Sequence, residues 1–198
     1  VSAIDATAAG DIFDNFDKQT LNAAPTPETT LAAGNAAVLS TAGGDNTMLY
    51  TIPAVVDGLS VSASYTPQGA TSDDSSSAFG ATYTGVEGLS VSYGVGSNDA
   101  AAGSTFDADV TTMKATYAYG PITVGYSSHE FDSTTATRDQ DTTSYSVAYT
   151  VSDAISISYG EETIDSGETA VDAEYSQVSI AYTSGGMTIT AKTQEAEN

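Results

Sequence analysis

The chain has no cysteine, no tryptophan and almost no positive charge. Only 4 Lys and Arg stand against 26 Asp and Glu in 198 residues, a formal charge of −22. Each scarcity excludes something. Without cysteine there is neither a disulfide framework nor a thiolate metal site. Cations this sparse cannot neutralise a phosphate backbone, so nucleic acid is not an expected partner, and they disfavour docking on an anionic membrane surface. The balance suits an outer-surface protein in salty water, where ionic strength screens self-repulsion. No apolar run approaches the about 18 residues of a spanning helix. Membrane strands remain possible, because they are short and half polar. Also missing are a Gly-rich phosphate cradle, a Gly-x-Ser-x-Gly elbow and a zinc-spaced His pair. The expectation is a non-enzyme with no catalytic residue, no metal site and no cofactor. No initiator Met or signal peptide is present, and both ends look cut.

What is present is a repeat. Every 30 to 33 residues a tight turn opens onto an alternating stretch: Gly58-Leu59-Ser60-Val61-Ser62, Gly88-Leu89-Ser90-Val91-Ser92, Gly120-Pro121-Ile122-Thr123-Val124, Asp153-Ala154-Ile155-Ser156-Ile157 and Gly186-Met187-Thr188-Ile189. A fixed period marks one supersecondary unit used repeatedly. Two-residue alternation makes each stretch a strand with one apolar and one wetted face, and the spacing makes the unit a hairpin. Leu59, Val61, Ala63 and Tyr65 form an aliphatic and tyrosine face, while Ser60, Ser62, Ser64 and Thr66 form a hydroxyl face. Such strands suit a barrel whose outside meets lipid and whose inside meets water.

The fold expected is all-β: an antiparallel meander of about ten strands from residue 45 to 198, part of a transmembrane β-barrel. The strands are Asn46 to Ala54, Leu59 to Thr66, Ser77 to Gly85, Leu89 to Gly96, Asp109 to Tyr119, Ile122 to Glu130, Thr142 to Val151, Ala154 to Glu162, Asp172 to Thr183 and Met187 to Gln194. Tight turns alternate with long acidic loops, the connection pattern of outer-membrane barrels with periplasmic turns and extracellular loops. Tyr83, Tyr117, Tyr149 and Tyr182 sit just before tight turns, and Tyr65, Tyr93, Tyr126 and Tyr159 several residues beyond them. Folded as hairpins, these sets make two aromatic rings, expected at the two water interfaces.

Residues 1–44 lack sustained alternation and contain Pro25 and Pro27; Ile12, Phe13 and Phe16 could pin such a segment against a wall. Lys114 and Lys192 alternate with apolar neighbours and are expected on the wetted face. Asp73, Asp74, Asp107, Asp109, Asp132, Asp139, Asp141, Glu161, Glu162, Asp165 and Glu168 read as loop carboxylates. Ca²⁺ could use such oxygens, but no Asp-x-Asp-x-Asp-Gly register supports it. His129, the only histidine, has Glu130 and Asp132 as neighbours. That grouping invites a rim-protease reading, which lacks the motif to support it.

At Asp45-Asn46-Thr47-Met48-Leu49-Tyr50-Thr51-Ile52-Pro53, followed by Gly58 to Tyr65, the chain resembles the general Gram-negative bacterial outer-membrane porins. In that family a long third loop ends in an Asp-Asn-Ser-x-x-Tyr-x-x-Pro strand, followed by a Gly-hydrophobic strand closing on Tyr. The resemblance implies homotrimers of sixteen-stranded barrels in the bacterial outer membrane, in contact with lipid and lipopolysaccharide. It implies passive diffusion of small hydrophilic solutes and ions. By this alignment Val1 to Ala3 resembles the tail of the fifth strand, residues 1–44 carry the constriction loop folded into the pore, and the ten strands are the sixth to the fifteenth. The family's loop presents carboxylates toward the pore; here the matching positions are Asp5, Asp11, Asp14, Asp17 and Glu28. The C-terminal Phe of outer-membrane barrels is absent. Two other readings stay open: a surface or secreted β-rich adhesive protein, and a complete ten-stranded barrel with an N-terminal plug.

Overall fold

A computed structural model describes residues 48–53, 56–67, 75–99, 108–133, 139–167 and 170–197. They form one sheet of ten antiparallel strands in sequence order: β1 (Met48–Ile52), β2 (Leu59–Thr66), β3 (Ser75–Tyr83), β4 (Leu89–Asp99), β5 (Ala108–Tyr119), β6 (Ile122–Ser133), β7 (Gln140–Ser152), β8 (Ile155–Ser166), β9 (Ala173–Ser184) and β10 (Met187–Glu197). Among the described residues there is no helix, and β1 and β10 do not pair with each other, so the sheet is an open meander. The expectation of a ten-strand meander holds. A complete ten-stranded barrel does not form, because the ladder that would close it is missing.

Most strands run further into the loops than the sequence pattern suggests. β6 continues three residues past Glu130 to Ser133, and β8 reaches Ser166. The reason is chemical. Beyond Tyr126 and Tyr159 the outward positions become Ser128, Glu130, Glu161 and Asp165. The ladder persists while the apolar half of the alternation, the only signal a sequence offers, disappears.

The tight turns are set by glycine. Gly58 and Gly88 have φ of 77° and 78°, a left-handed conformation that side chains with a Cβ resist. Each lets a Val carbonyl accept the amide three residues on, from Val56 to Leu59 at 3.1 Å and from Val86 to Leu89 at 3.0 Å. The turns are also bonded sideways. Gly88 O accepts from Ala118 N at 2.8 Å, Pro121 O from Thr150 N at 2.8 Å and Ala154 O from Thr183 N at 2.8 Å. Each of these turns is thereby tied to the first strand of the next hairpin. Pairing is regular everywhere among the described ladders except for one register shift, between Thr150 and Ser152 near the end of β7.

Register assigns every side chain to a face. The row Leu59–Tyr83–Val91–Ala115–Tyr126–Tyr145 runs across β2 to β7 on one side. Leu59, Val61, Leu89, Val91, Val124, Ile155, Ile157 and Ile189 all belong to this side, as do all eight tyrosines named from the sequence. Ser60, Ser62, Ser90, Ser92, Thr123, Ser156, Ser158 and Thr188 lie on the other. Apolar exposure is inverted relative to a protein with an apolar core. Tyr145, Tyr149, Val147, Ile180 and Ile189 are all exposed, while among the described residues the buried hydrophobics reduce to Val110, Ile164, Ala173 and Tyr175 on the polar side. A contiguous apolar face of this size needs an apolar partner.

The tyrosines also give the tilt. Moving from β2 to β8, the aromatic positions Tyr65, Phe79, Tyr93, Tyr126, Tyr145 and Tyr159 step toward the tight turns, a total drop of eight residues over six strand spacings. A second line, from Tyr83 through Tyr117 and Tyr149 to Tyr182, drops six residues over six spacings. With about 3.3 Å per residue and about 4.8 Å between strands, lines level with a membrane require strand tilts of about 43° and 35°. Membrane barrels tilt their strands by roughly 35–45°.

Candidate functional site

The polar face is where solute chemistry could occur. Hydroxyls and glycines predominate on it, beside several alanines and a few larger groups, and neighbouring hydroxyls bond across strands: Thr82 to Ser92 at 3.0 Å and Thr183 to Thr188 at 2.9 Å. Lys114, paired with Ser92 and Ser127, and Lys192, paired with Ser179, both lie on this face. Lys114 is half-buried and Lys192 exposed.

Toward the loop rim the same face carries a buried polar belt, of which the sequence had marked only His129 and Glu162, and those for other roles. Thr112, Ser127, His129, Ser144, Glu162 and Gln177 are each 0–1% exposed. Thr112 Oγ1 and His129 Nδ1 are 2.7 Å apart, Ser144 Oγ donates to Glu162 Oε2 at 2.8 Å, and Gln194 Nε2 donates to Gln177 Oε1 at 2.7 Å. Buried polar groups normally find partners, yet among the described residues Ser127 Oγ and His129 Nε2 have none. Parity was the available signal: His129 lies three residues from Tyr126, and so on the opposite face.

That parity separates the residues that suggested a protease. His129 points to the polar face, whereas Glu130 and Asp132 share the opposite face with Thr111 and Asp109. The sheet stands between the imidazole and both carboxylates.

The acidic residues read as loop carboxylates need correction. Asp109, Asp132, Asp141, Glu161, Glu162 and Asp165 are all in strands. All but Glu162 face outward, beyond the upper aromatic line and clear of the apolar band. Asp141 sits directly opposite Glu130 on one side and Asp165 on the other. Burial, together with Asp165, Asp132 and Asp139, pushes its carboxyl above the ordinary range. Among the described residues no three His, Cys, Asp or Glu side chains converge as a metal site requires. Asp5, Asp11, Asp14, Asp17, Glu28 and the whole 1–44 segment lie outside the described residues, as do Asp73, Asp74, Asp107 and Glu168.

Two ring directions can be read. Tyr83 Oη lies over Gly85, toward the tight-turn rim, because a Cβ built on Gly85 would fall 2.5 Å from it. Tyr159 Oη donates to Glu161, toward the loop rim. One line of phenols reaches down and the other up.

A tilted antiparallel meander, apolar outside and hydroxyl-bearing inside, is the wall of an outer-membrane β-barrel. The profile of the Gram-negative porins matches residues 4–198, and the chain belongs to that family. A refined porin structure is similar over 100% of this chain and 67% of its own, with 17% identity and a TM-score of 0.62. OmpT of Vibrio cholerae, an outer membrane protein folded in vitro, is similar over 76% of this chain and 53% of its own, with 19% identity and a TM-score of 0.56. Its loop L8 deletion mutant aligns over 76% and 57%, with 19% identity and a TM-score of 0.55. The chain thus spans little more than half the length of the OmpT chains. At these identities the likeness shows the fold. No curated protein matches the chain. The protein is a porin-type β-barrel protein of the bacterial outer membrane.

Proposed function

We propose that the protein is a passive diffusion channel for small hydrophilic solutes and ions. The observation that carries this is the sustained division of ten strands into a lipid-suited face and a hydroxyl face, on which Lys114 and Lys192 both lie. A wall of hydroxyls can exchange hydrogen bonds with passing water and solute, and the reading needs neither a chemical step nor a cofactor. The opposed directions of Tyr83 and Tyr159 support aromatic girdles at the two edges of an apolar band. Residues 1–44 serve as the constriction, with Asp5, Asp11, Asp14, Asp17 and Glu28 as its carboxylates. Their excess over Lys114 and Lys192 makes the pore cation-preferring. The assembly is a homotrimer in contact with lipopolysaccharide, as the family implies.

The test is reconstitution of the full-length protein in planar bilayers and liposomes. The expected result is ohmic conductance, size-limited sugar permeation, and a cation preference that weakens as the Debye length falls from about 10 Å at 0.1 M salt to about 3 Å at 1 M. A folded barrel that conducts nothing and swells no liposome would reject the channel. Anion preference at low salt would reject the charge assignment alone.

A further inference from the structure

The lipid-facing side of the wall is not smooth. A groove of about 500 Å³ crosses it from β2 to β5. Its two sides are outward rows fixed by pairing: Ala63, Phe79, Val95 and Thr111 below, and Ser77, Ser97 and Asp109 above. The floor between them is the backbone of the row from Ser64 to Val110, whose side chains point to the polar face. Rows two residues apart leave a width of about 6.6 Å, and three strand spacings a length of about 14 Å. One side is therefore tall and apolar, the other low and polar.

Depth and continuity place this groove at the edge of the lipid. Phe79 belongs to the upper aromatic line, so the groove lies where the apolar band ends and the headgroup layer begins. The next outward row toward the turns, Val61, Ala81, Tyr93 and Met113, is uncharged and continues the lipid-facing wall.

The polar side narrows what can bind. Ser77 Oγ and Ser97 Oγ are 3.1 Å apart, so one hydroxyl donates to the other, and the accepting one keeps its hydrogen for a third group. Asp109 is the ladder partner of Ser97, which sets a carboxylate acceptor beside that donor. A set that both donates and accepts matches the hydroxyls of a sugar. It does not match a phosphate, which only accepts and which the carboxylate repels. The described cations do not offset that repulsion, because Lys114 and Lys192 both lie on the other face. Charge also sets this stretch of wall apart. β2 and β3 contain no charged residue, whereas outward positions toward the loop rim of β6 to β9 carry Glu130, Asp132, Asp141, Glu161, Asp165 and Glu174.

We propose that the groove is a subsite for one membrane glycolipid. Its uncharged sugar headgroup bonds to Ser77, Ser97 and Asp109 and rests a carbon face against Phe79, while an acyl chain runs down over Ala81. The subsite belongs to the outer wall and stands whether or not the barrel conducts.

The experiment places the full-length protein in micelles of dodecylphosphocholine, a sugar-free detergent. It adds monogalactosyl diacylglycerol, or phosphatidylglycerol or phosphatidylethanolamine with the same chains. Native mass spectrometry reads the lipid retained, and heat-modifiable gel migration reports the folded barrel. The galactolipid should be held about tenfold more tightly than either phospholipid, the scale of one hydrogen bond to a charged group. Ser97→Phe, which fills the groove, should erase that preference, and Asp109→Asn should reduce it. Thr143→Val, which removes an outward hydroxyl on β7 away from the groove, should leave it intact. Equal retention of the three lipids would overturn the subsite, as would a folded Ser97→Phe protein that keeps the preference. Tighter binding of phosphatidylglycerol would refute the charge argument, and tighter binding of phosphatidylethanolamine would give Asp109 an ammonium partner; either result overturns the sugar. If Ser97→Phe does not fold, the double variant Ser77→Ala, Ser97→Ala decides in its place, and an undiminished preference there counts against the proposal.

Discussion

Placing a lysine at residue 147 and then at residue 146 tests the sidedness of the wall in two adjacent steps. Val147 lies on the outward side, paired with Val124 and Tyr159, midway between Tyr145 and Tyr149 on its own strand. That position lies inside the apolar band, where an outward Lys or Arg costs up to the about 2–4 kcal/mol of the midplane. At about 1.36 kcal/mol per factor of ten, Val147→Lys should lower the folding equilibrium in lipid by up to about 30- to 900-fold. Ser146 points the other way, between Gly125 and Gly160 on the neighbouring strands. Neither glycine has a side chain, so a lysine stem has room to lie along the wall with its ammonium in water. Ser146→Lys should therefore stay within about 0.5 kcal/mol, the usual range for substitutions away from packed groups. Reversible folding into phospholipid vesicles, followed by urea titration and gel migration, measures both. Equal costs at the two positions, or a larger cost at Ser146, would refute the assignment of faces.

Three further outcomes follow from the turns and the acidic collar. Gly88→Ala should destabilise by more than about 2 kcal/mol and Gly185→Ala by only about 1–2 kcal/mol, the ordinary left-handed penalty; both have positive φ, but a Cβ at Gly88 would lie 2.2 Å from Ala118 O, while one at Gly185 meets nothing within 4 Å, and urea midpoints give the order. Gly85→Ala should cost less in a Tyr83→Ala background than alone, because its Cβ collides with the Tyr83 ring; a double-mutant cycle returning zero coupling would contradict that contact. Asp141→Asn should stabilise by about 0.2–1 kcal/mol at pH 7, the scale of like charges opposed across strands. A raised folded-state pKa means that the ionised carboxylate is disfavoured by folding, so this gain appears as pH rises through the carboxylate range and vanishes below it; a gain persisting at pH 2 would assign it to something other than charge.

The hairpin repeat was legible because alternation and turn glycine agree with each other and with the final register. Leu59 to Thr66 was readable to the residue, since Val56-Asp57-Gly58 fixes one end and Pro67 the other. Strand ends such as Phe131 to Ser133 were not, because outward acids on outward-facing positions look like loop. The candidate site was harder still. Glu161 and Glu162 are neighbours of identical chemistry, yet one faces outward and the other is buried among wall hydroxyls. Composition cannot separate them, and only the parity carried down from Ile155 and Ile157 does so. The aromatic line likewise gained Phe79 and Tyr145, which cross-strand pairing aligns with Tyr93 and Tyr126 but which no turn-relative position marks.

The single register shift in β7 bears on how such a chain can vary in length. Side-chain orientation works as a two-letter frame: an insertion of one residue within a strand reverses everything beyond it. One residue inserted after Tyr126 would send His129 to the outer face and Ser128 to the polar face. Insertions of two would preserve the frame but slide the ladder against both neighbours. The shift between Thr150 and Ser152 falls where only the turn at Asp153 and Ala154 remains, so almost nothing lies downstream on that strand to be reversed. Length change in this wall is therefore tolerated at strand ends and in the connections between hairpins, while strand interiors can vary in residue type but scarcely in residue number.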